Sequence, residues 1–463
     1  MKTITEGMDL NLLRGLLRKY GDDKLGMYIE YPHKSRWSSG FSGRDYRTAL
    51  KNLFSSNKDA PLLLYVHIPF CPRQCYFCSC SSVVTRDYER IKRYLQCLYR
   101  EIDMFREFFE SNSITPNFKE IHIGGGSPTC LKEKEFDELV AKLNSLGAIK
   151  KAKEFATEVD PRFTKKENLE YYYSKGINRI SIGVQDFNTD VQKAVNRVQP
   201  LELIEALLEP DVRKKFTSIN FDILCGLPRQ TRESFNDTIE TVIKLSPDRT
   251  CLLYLDYAPE VKKHQRFMKE SEIPDFYAKS VFFHDALRRL TESGYVRVGF
   301  EHFAKSTDEL AKAAEMKTLH WNALGYRAGK FLDIIGLGSS SASRITERYY
   351  SQNFYAPDEY EAAIMKGDLA IYRSHKLNND EIIRRDIIYR LRTYFSLDFT
   401  DIEKEYSINF KTYFSNEEAM LKALAKDGLL ELSENKMGIT EVGRYLTHVV
   451  CRVFDRFATI KKG

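Results

Sequence analysis

The sequence predicts an α/β protein: a partial or complete (β/α) barrel with a mainly helical C-terminal domain. Three observations carry this. Short β-branched runs alternate about six times with longer amphipathic stretches between residues 62 and 293. Every cluster of residues suited to chemistry falls at the carboxyl end of a predicted strand, where barrel-type α/β folds build their sites. After about residue 375 the pattern becomes helical. Strand, helix, strand repeated in this way implies right-handed crossovers and a parallel sheet.

The elements follow in order. Strands are predicted at 62–67, 120–123, 154–158, 179–183, 218–224 and 251–257, and helices at 88–110, 133–146, 166–175, 191–197, 232–244 and 273–293. The first strand, Leu62 to Ile68, is a continuous apolar run, as a strand buried on both faces requires. Beyond it all, helices at 380–395, 401–406 and 417–427 precede a short ribbon, 428–432 and 438–440 around a polar turn at 433–436, and a last helix. That outline resembles a winged helix, but it has no concentrated basic recognition helix, so a packing or lid role is expected rather than nucleic-acid binding. The expected divisions are an N-terminal substrate-side segment, 1–55, a barrel domain, 56–375, and the helical domain, 376–463.

The 463 residues are 43% hydrophobic and 29% charged, enough for a large core. The net charge of +6 is too mild to argue for nucleic acid and is compatible with an anionic small molecule. No apolar stretch is long enough to span a bilayer, and no signal peptide follows Met1-Lys2-Thr3-Ile4. A reducing cytoplasm is the expected compartment.

Four cysteines lie within Cys71-Pro72-Arg73-Gln74-Cys75-Tyr76-Phe77-Cys78-Ser79-Cys80. Gaps of three and two residues bring three sulfurs to three corners of one iron–sulfur cube without long-range folding. Three ligands leave one iron open to a further molecule. Zinc also takes cysteine, yet its loops usually come as two separated pairs, and no second pair is present. Cys80 is left open as a ligand or a lining residue. Cys97, Cys130, Cys225, Cys251 and Cys451 are expected in the core.

Gly124-Gly125-Gly126-Ser127-Pro128-Thr129 ends the second strand. It is read either as a tight turn or as a place where backbone closely approaches the amino group of an amino-acid-like ligand. It lacks the Gly-Lys-Ser/Thr ending of a phosphate loop. Glu158 and Asp222, acids in apolar company at strand ends, are expected to contact a polar ligand. Asp160 and Asp186 fit ligand contact and helix capping equally well.

Together these residues resemble the radical SAM superfamily, and within it the oxygen-independent coproporphyrinogen III oxidases (coproporphyrinogen dehydrogenases). The segments that carry the resemblance are Tyr65-Val66-His67-Ile68-Pro69-Phe70-Cys71, the cysteine loop, Gly124 to Thr129, Glu158-Val159-Asp160-Pro161-Arg162 and Ser181 to Asn188. Val195-Asn196-Arg197, Gly226-Leu227-Pro228, Glu301-His302-Phe303-Ala304 and Gly336-Leu337-Gly338 extend it. The resemblance implies that Cys71, Cys75 and Cys78 bind a 4Fe-4S cluster whose fourth iron chelates S-adenosylmethionine. It implies contacts to that cofactor, in two molecules, from Tyr65, Phe77, Gly125, Gly126, Ser127 (Thr in most members), Glu158, Gln185, Arg197 and Asp222. The implied activity is the oxidative decarboxylation of two propionates of coproporphyrinogen III to vinyl groups, in heme biosynthesis. A small-molecule, porphyrinogen-like substrate, a reductant such as flavodoxin or ferredoxin, and a monomeric state come with it.

Three segments depart from the family pattern. Met27-Tyr28-Ile29-Glu30-Tyr31-Pro32 stands where members carry Arg-Tyr-Thr-Ser-Tyr-Pro; Leu253-Tyr254-Leu255-Asp256-Tyr257 replaces Phe-Asn-Tyr-Ala-His; Glu301 replaces Asp. A tetracarboxylate substrate favours Arg and Lys, so an Arg lost and acids gained run the opposite way. Two alternatives follow: a paralogous two-SAM radical methyl or methylene transferase, and a heme-binding chaperone, the latter disfavoured by Cys80 and Asn196-Arg197.

Overall fold

The computed structural model describes residues 9–21, 28–38, 41–329 and 332–458. Six parallel strands succeed one another in chain and in space: β1 (Pro61–Ile68), β2 (Asn117–Gly125), β3 (Glu154–Val159), β4 (Arg179–Gln185), β5 (Ser218–Cys225) and β6 (Arg249–Tyr254). Six short strands complete the sheet: β7 (Tyr295–Val298), β8 (His302–Lys305), β9 (Asp333–Leu337), β10 (Ala342–Ile345), β11 (Tyr349–Asn353) and β12 (Ile371–Lys376). Their order is β12-β11-β10-β9-β1-β2-β3-β4-β5-β6-β8-β7. β9 runs parallel to β1, while β8 and β10 pair antiparallel with β6 and β9. The end strands β12 and β7 do not pair with each other. Of the two architectures expected, the partial barrel is the one formed.

Two predicted elements end early. The sixth strand stops at Tyr254, not 257, because the chain folds back: Gln265 donates to Asp256 O (2.7 Å) and accepts from Ala258 N (2.6 Å). The expected helix 191–197 is Thr189–Ala194, since Asn196 turns left-handed (φ 55°) and Arg197 N returns to Gln192 O (2.9 Å). The C-terminal ribbon forms as expected, with Leu430–Leu432 and Lys436–Ile439, but β7 to β12 went unpredicted. They are short, and runs such as Tyr-Tyr-Ser-Gln-Asn show neither a continuous apolar stretch nor alternation.

The barrel has a charged floor at the amino ends of its strands. Arg327, on the hairpin Leu319–Asn322/Gly325–Ala328, reaches Glu120 (3.1 Å) and Glu154 (3.2 Å), and Arg179 reaches Glu154 (2.7 Å). Burial raises the Glu154 carboxyl, but the surrounding guanidiniums outweigh it and hold the group well below the usual carboxylate range. Glu120 is pushed the other way, upward by burial, despite Arg327. Removing one partner from such a set leaves a buried charge uncompensated.

The outer segments dock on this frame. The C-terminal part is mostly helical, with a three-stranded sheet of Ser396–Asp398, Lys436–Ile439 and Leu430–Leu432. It meets the barrel through Arg392–Glu301 (2.7 Å) and His284–Tyr445 (2.8 Å). The 28–38 segment is tied in by Trp321 Nε1 donating to Ile29 O (2.8 Å) and by the Ser38–Ser374 bridge. Residues 1–8 and 459–463 of the two expected outer divisions lie outside the described residues. No described helix is long and apolar enough to cross a membrane.

Glu101, buried on helix Tyr88–Ser111, fastens that helix to the end of β9. It accepts from Gly338 N (2.7 Å), Asn353 Nδ2 (3.0 Å) and Tyr360 OH (2.7 Å). Burial pushes its carboxyl up to about 7, although these donors favour the anion. A folded pKa above the unfolded one means the contribution is full below the unfolded value of about 4.3 and falls as pH rises through about 7. Urea denaturation between pH 5 and 8 is therefore expected to show stability declining by on the order of 3 kcal/mol. Glu101→Gln removes the Glu101 share of that slope, Asp186 and Asp333 being raised to about 6 as well; an unchanged slope refutes the assignment.

Candidate functional site

The carboxyl ends of β1 and β2 approach so closely that only glycine fits. A Cβ on Gly124 would lie 2.4 Å from Glu158 Oε1, on Gly125 (φ 125°) 2.7 Å from Ile68 O, and on Gly126 2.7 Å from Phe70 O. Gly126 N donates to Ile68 O (2.8 Å), Ser127 N to Phe70 O (2.9 Å), and Gly125 N to Glu158 Oε2 (3.1 Å). Both readings of the glycines, a tight turn and a close backbone approach, are compatible with this: close packing is met first, and these three N–H groups are already engaged. The carbonyl face is what such a turn offers an amino group.

On this platform stands the cysteine loop. Val83 N and Thr85 N donate to Pro69 O (2.6 Å) and Cys71 O (3.0 Å), closing it on itself, while Asn196 Nδ2 holds Gln74 O (2.8 Å) from across the rim. Cys75 Sγ accepts from Arg162 Nη2 (3.2 Å) and Arg197 Nη1 (3.4 Å). Asp160 binds both guanidiniums, at 2.7 and 3.2 Å. Burial pushes Asp160 up, but Arg197 and Arg162 prevail and keep it below the usual range. A hydrogen bond from Cys80 holds the Cys78 thiol down to about 6 against its burial, and Ser82 assists. Cys71 is pushed up by burial and by its fellow thiols.

Thiolates are the ligand form, and two guanidiniums beside Cys75 supply the compensation that a cluster of thiolates needs. Among the described residues no three His, Cys, Asp or Glu side chains converge closely enough to hold a single ion. Three thiols on one loop suit the separate corners of a cube instead. The donor set fits a 4Fe-4S cluster.

The other predicted residues line the same rim. Glu158 accepts from Gly125 N and sits 3.2 Å from His122 Nε2. Tyr65 stacks on His122 (6.0 Å) and bonds His67 Nδ1 (2.9 Å). Asp222 accepts from Ser181 Oγ (2.9 Å) and Asn220 Nδ2 (2.8 Å), and burial raises its carboxyl. Gln185 is left-handed (φ 68°), a strained conformation of the kind held at functional sites. Its Nε2 and Arg197 Nη2 both abut Gly183. Phe77 packs in an apolar cluster with Leu224, Leu227 and Leu255.

Several expectations change. Arg197, implied as a contact to the cofactor, is buried and engaged with Asp160, Gly183 O (2.6 Å) and Gln199 (3.1 Å). Asp160 does cap a short turn, Pro161–Phe163, and also braces the arginines. Asp186 caps no helix: Asn188 caps Thr189–Ala194, and Asp186 accepts from Asn188 N, Gln230 and Thr238. The departing acids have internal partners: Glu301 takes Arg392, Asp256 takes Ser79 Oγ (3.3 Å), and Glu30 lies 3.6 Å from Lys34. Met27 lies outside the described residues. Arg162, within the motif but given no role, and the covering side chains Lys262, His264 and Gln265 were missed. Only the spacing Asp160-Pro161-Arg162 could have hinted at the first.

A three-thiol loop at the carboxyl ends of a partial barrel, beside a glycine turn and strand-end acids, defines a radical SAM domain, and residues 65–242 match the radical SAM superfamily. Residues 377–446 match the HemN C-terminal domain. The chain is 36% identical over 430 residues to the oxygen-independent coproporphyrinogen III oxidase of Escherichia coli K12, covering 93% of this chain and 92% of that protein. It is 36% identical over 444 residues to that of Pseudomonas aeruginosa (96% and 95%) and 33% over 431 residues to that of Helicobacter pylori 26695 (93% and 93%). The solved coproporphyrinogen III oxidase (HemN) structure from Escherichia coli superposes with a TM-score of 0.86 at 35% identity, covering 93% of this chain and 97% of that one. The chain belongs to the oxygen-independent coproporphyrinogen III oxidase family of radical SAM enzymes.

Gly125→Ala places a methyl against Ile68 O at a positive φ. It is expected to cost about 1–3 kcal/mol in thermal unfolding. Reconstituted iron and sulfide content should fall with it, and full content would show that the tips tolerate separation.

Proposed function

We propose that the protein converts two propionates of coproporphyrinogen III to vinyl groups, giving protoporphyrinogen IX in heme biosynthesis without oxygen. The observation that carries this reading is the extent of the likeness: 93% of the chain is covered, including the outer segments that surround the barrel, and not the cysteine loop alone. Cys71, Cys75 and Cys78 hold the 4Fe-4S cluster. Tyr65, Phe77, Gly125, Gly126, Ser127, Glu158, Gln185, Arg197 and Asp222 serve two molecules of S-adenosylmethionine. When bound, these groups supply a 5'-deoxyadenosyl radical that removes hydrogen from the substrate.

The chain's own residues bind, orient and exclude. Glu158, fixed by Gly125 N and His122, keeps carboxylate surface open to accept from an ammonium or a ribose hydroxyl. Arg197 acts mainly through Cys75 and Asp160, tempering negative charge where the thiolates gather. Lys262, His264 and Gln265 close the cysteine loop from outside by bonding Cys80 O, Cys78 O and Phe77 O, which limits access of water and oxygen. We place 1–55 on the substrate side, 56–375 as the barrel and 376–463 as the covering domain. A cytoplasmic monomer reduced by a flavodoxin or ferredoxin completes the reading.

The test is mass spectrometry after anaerobic reconstitution with iron and sulfide, then reductant, S-adenosylmethionine and coproporphyrinogen III. Loss of two carbon dioxide units and four hydrogens is expected, with 5'-deoxyadenosine released. Cys71→Ala, Cys75→Ala and Cys78→Ala should each abolish the brown absorbance and the cleavage, whereas Cys80→Ala keeps the cluster. Deoxyadenosine without any change in the porphyrinogen would refute the substrate, and cleavage retained in any of the first three variants would refute the ligand set.

A further inference from the structure

One surface segment stands directly over the cysteine loop. Between residues 261 and 269 the chain reads Val-Lys-Lys-His-Gln-Arg-Phe-Met-Lys, four basic residues and no acid. Its inner side grips the loop: Lys262 Nζ donates to Cys80 O (3.1 Å), His264 Nε2 lies 2.7 Å from Cys78 O, and Gln265 Nε2 donates to Phe77 O (3.1 Å). Phe267 packs its ring against Tyr76 of the loop (5.1 Å).

The outer side is unusual for a surface. Val261 is 73% and Phe267 69% exposed, among the most exposed large apolar side chains described. Lys263, Arg266 and, on the loop itself, Arg73 are exposed as well. Lys269 and Arg229 pair with Glu272, whereas Arg73, Lys262, Lys263 and Arg266 form no ion pair among the described residues. Exposed apolar side chains beside four unpaired cations, Arg73, Lys262, Lys263 and Arg266, with the exposed acids Glu260 and Glu270 at the two ends of the segment, are the anatomy of a transient, electrostatically steered interface. The carbonyl contacts put this face within one side chain of Cys78.

We propose that residues 261–269 with Arg73 form the docking face for a small acidic protein that carries one electron at a time. The inference rests on the reading that Cys71, Cys75 and Cys78 hold a cluster. One electron leaves the donor's reduced flavin and passes to the cluster; no atom is transferred, and the donor is left oxidised by one electron. The occupant is acidic because the rim is basic, and small because weak redox encounters use small interfaces.

The probe is a reduced flavodoxin, and the variant is Lys263→Glu with Arg266→Glu, neither of which bonds the loop. Titration calorimetry of the reconstituted holoenzyme at low and high salt is expected to show salt-sensitive binding that the variant weakens about tenfold or more. Flavodoxin-driven release of 5'-deoxyadenosine, measured without porphyrinogen, falls with it, while dithionite-driven release and iron content stay at the parent's level. Unchanged flavodoxin binding overturns the proposal. So does a raised KM for porphyrinogen with binding intact, which would assign the patch to the substrate, or an equal fall with dithionite. No cleavage in the parent with dithionite would count against the cluster reading alone, because binding is read separately on the same samples.

Discussion

Asp160 ends β3 in a buried position and holds two guanidiniums against the thiol of Cys75. Each member of this set would be costly to bury alone. Asp160 without its arginines would be an unpaired buried carboxylate, and the arginines without Asp160 would be cations packed between a thiol and backbone carbonyls. Joined, they build a rigid seat that is slightly positive on the side facing the loop. Cys75 Sγ is then held by two guanidiniums, and the loop has a fixed point around which Cys71 and Cys78 are arranged. Arg197 can reach this seat only because the chain turns left-handed at Asn196, whose side chain in turn holds Gln74 O.

The barrel separates two kinds of polar interior. At the amino ends of the strands, Glu120, Glu154, Arg179 and Arg327 close a floor of mutual ion pairs. At the carboxyl ends, Glu158 and Asp222 take, among the described residues, neutral donors and an imidazole, so their oxygens retain capacity toward a bound molecule. The distinction is one of partner rather than of burial. A carboxylate facing guanidiniums at under 3.3 Å is already neutralised, whereas one fixed by a backbone N–H can still accept.

Much of this was legible in the sequence. The apolar run of β1 announces a doubly covered strand, and the cysteine spacing fixes which strand end carries the chemistry. The strand-end acids mark the rim. What the sequence hid depends on contacts between distant residues. Gly124 to Gly126 look like a ligand turn, and only the three-dimensional approach of β1 to β2 shows that their missing Cβ atoms are demanded by Ile68, Phe70 and Glu158. Arg197 looks like a ligand clamp until Asp160 is seen beside it. Asp186 looks like a helix cap, yet the helix it precedes starts two residues later under Asn188. β7 to β12 escaped because mixed polar segments such as Tyr349–Asn353 become strands by pairing with neighbours already in place.

The acids that depart from the family pattern gain a physical meaning from their partners. Glu301 meets Arg392, joining barrel to C-terminal domain; Asp256 meets Ser79 on the cysteine loop; Glu30 faces Lys34 in the N-terminal segment. Glu301 thus binds the C-terminal domain to the barrel, while Asp256 and Glu30 are engaged within their own parts, so a change of charge at these positions alters internal contacts first. The same coupling runs through neutral groups. Tyr65 bonds His67, His67 lies 3.3 Å from Ser340 Oγ, Gln352 donates to Ser340 O, and Arg373 donates to Gln352 while lying over Trp37. This places one hydrogen-bonded path between the rim and the 28–38 segment, across β9 to β12. His67 is held at the same time by Ser81 O (2.9 Å), so the rim and the outer strands share this one imidazole. The rim is therefore tied by hydrogen bonds to strands well outside the cysteine loop.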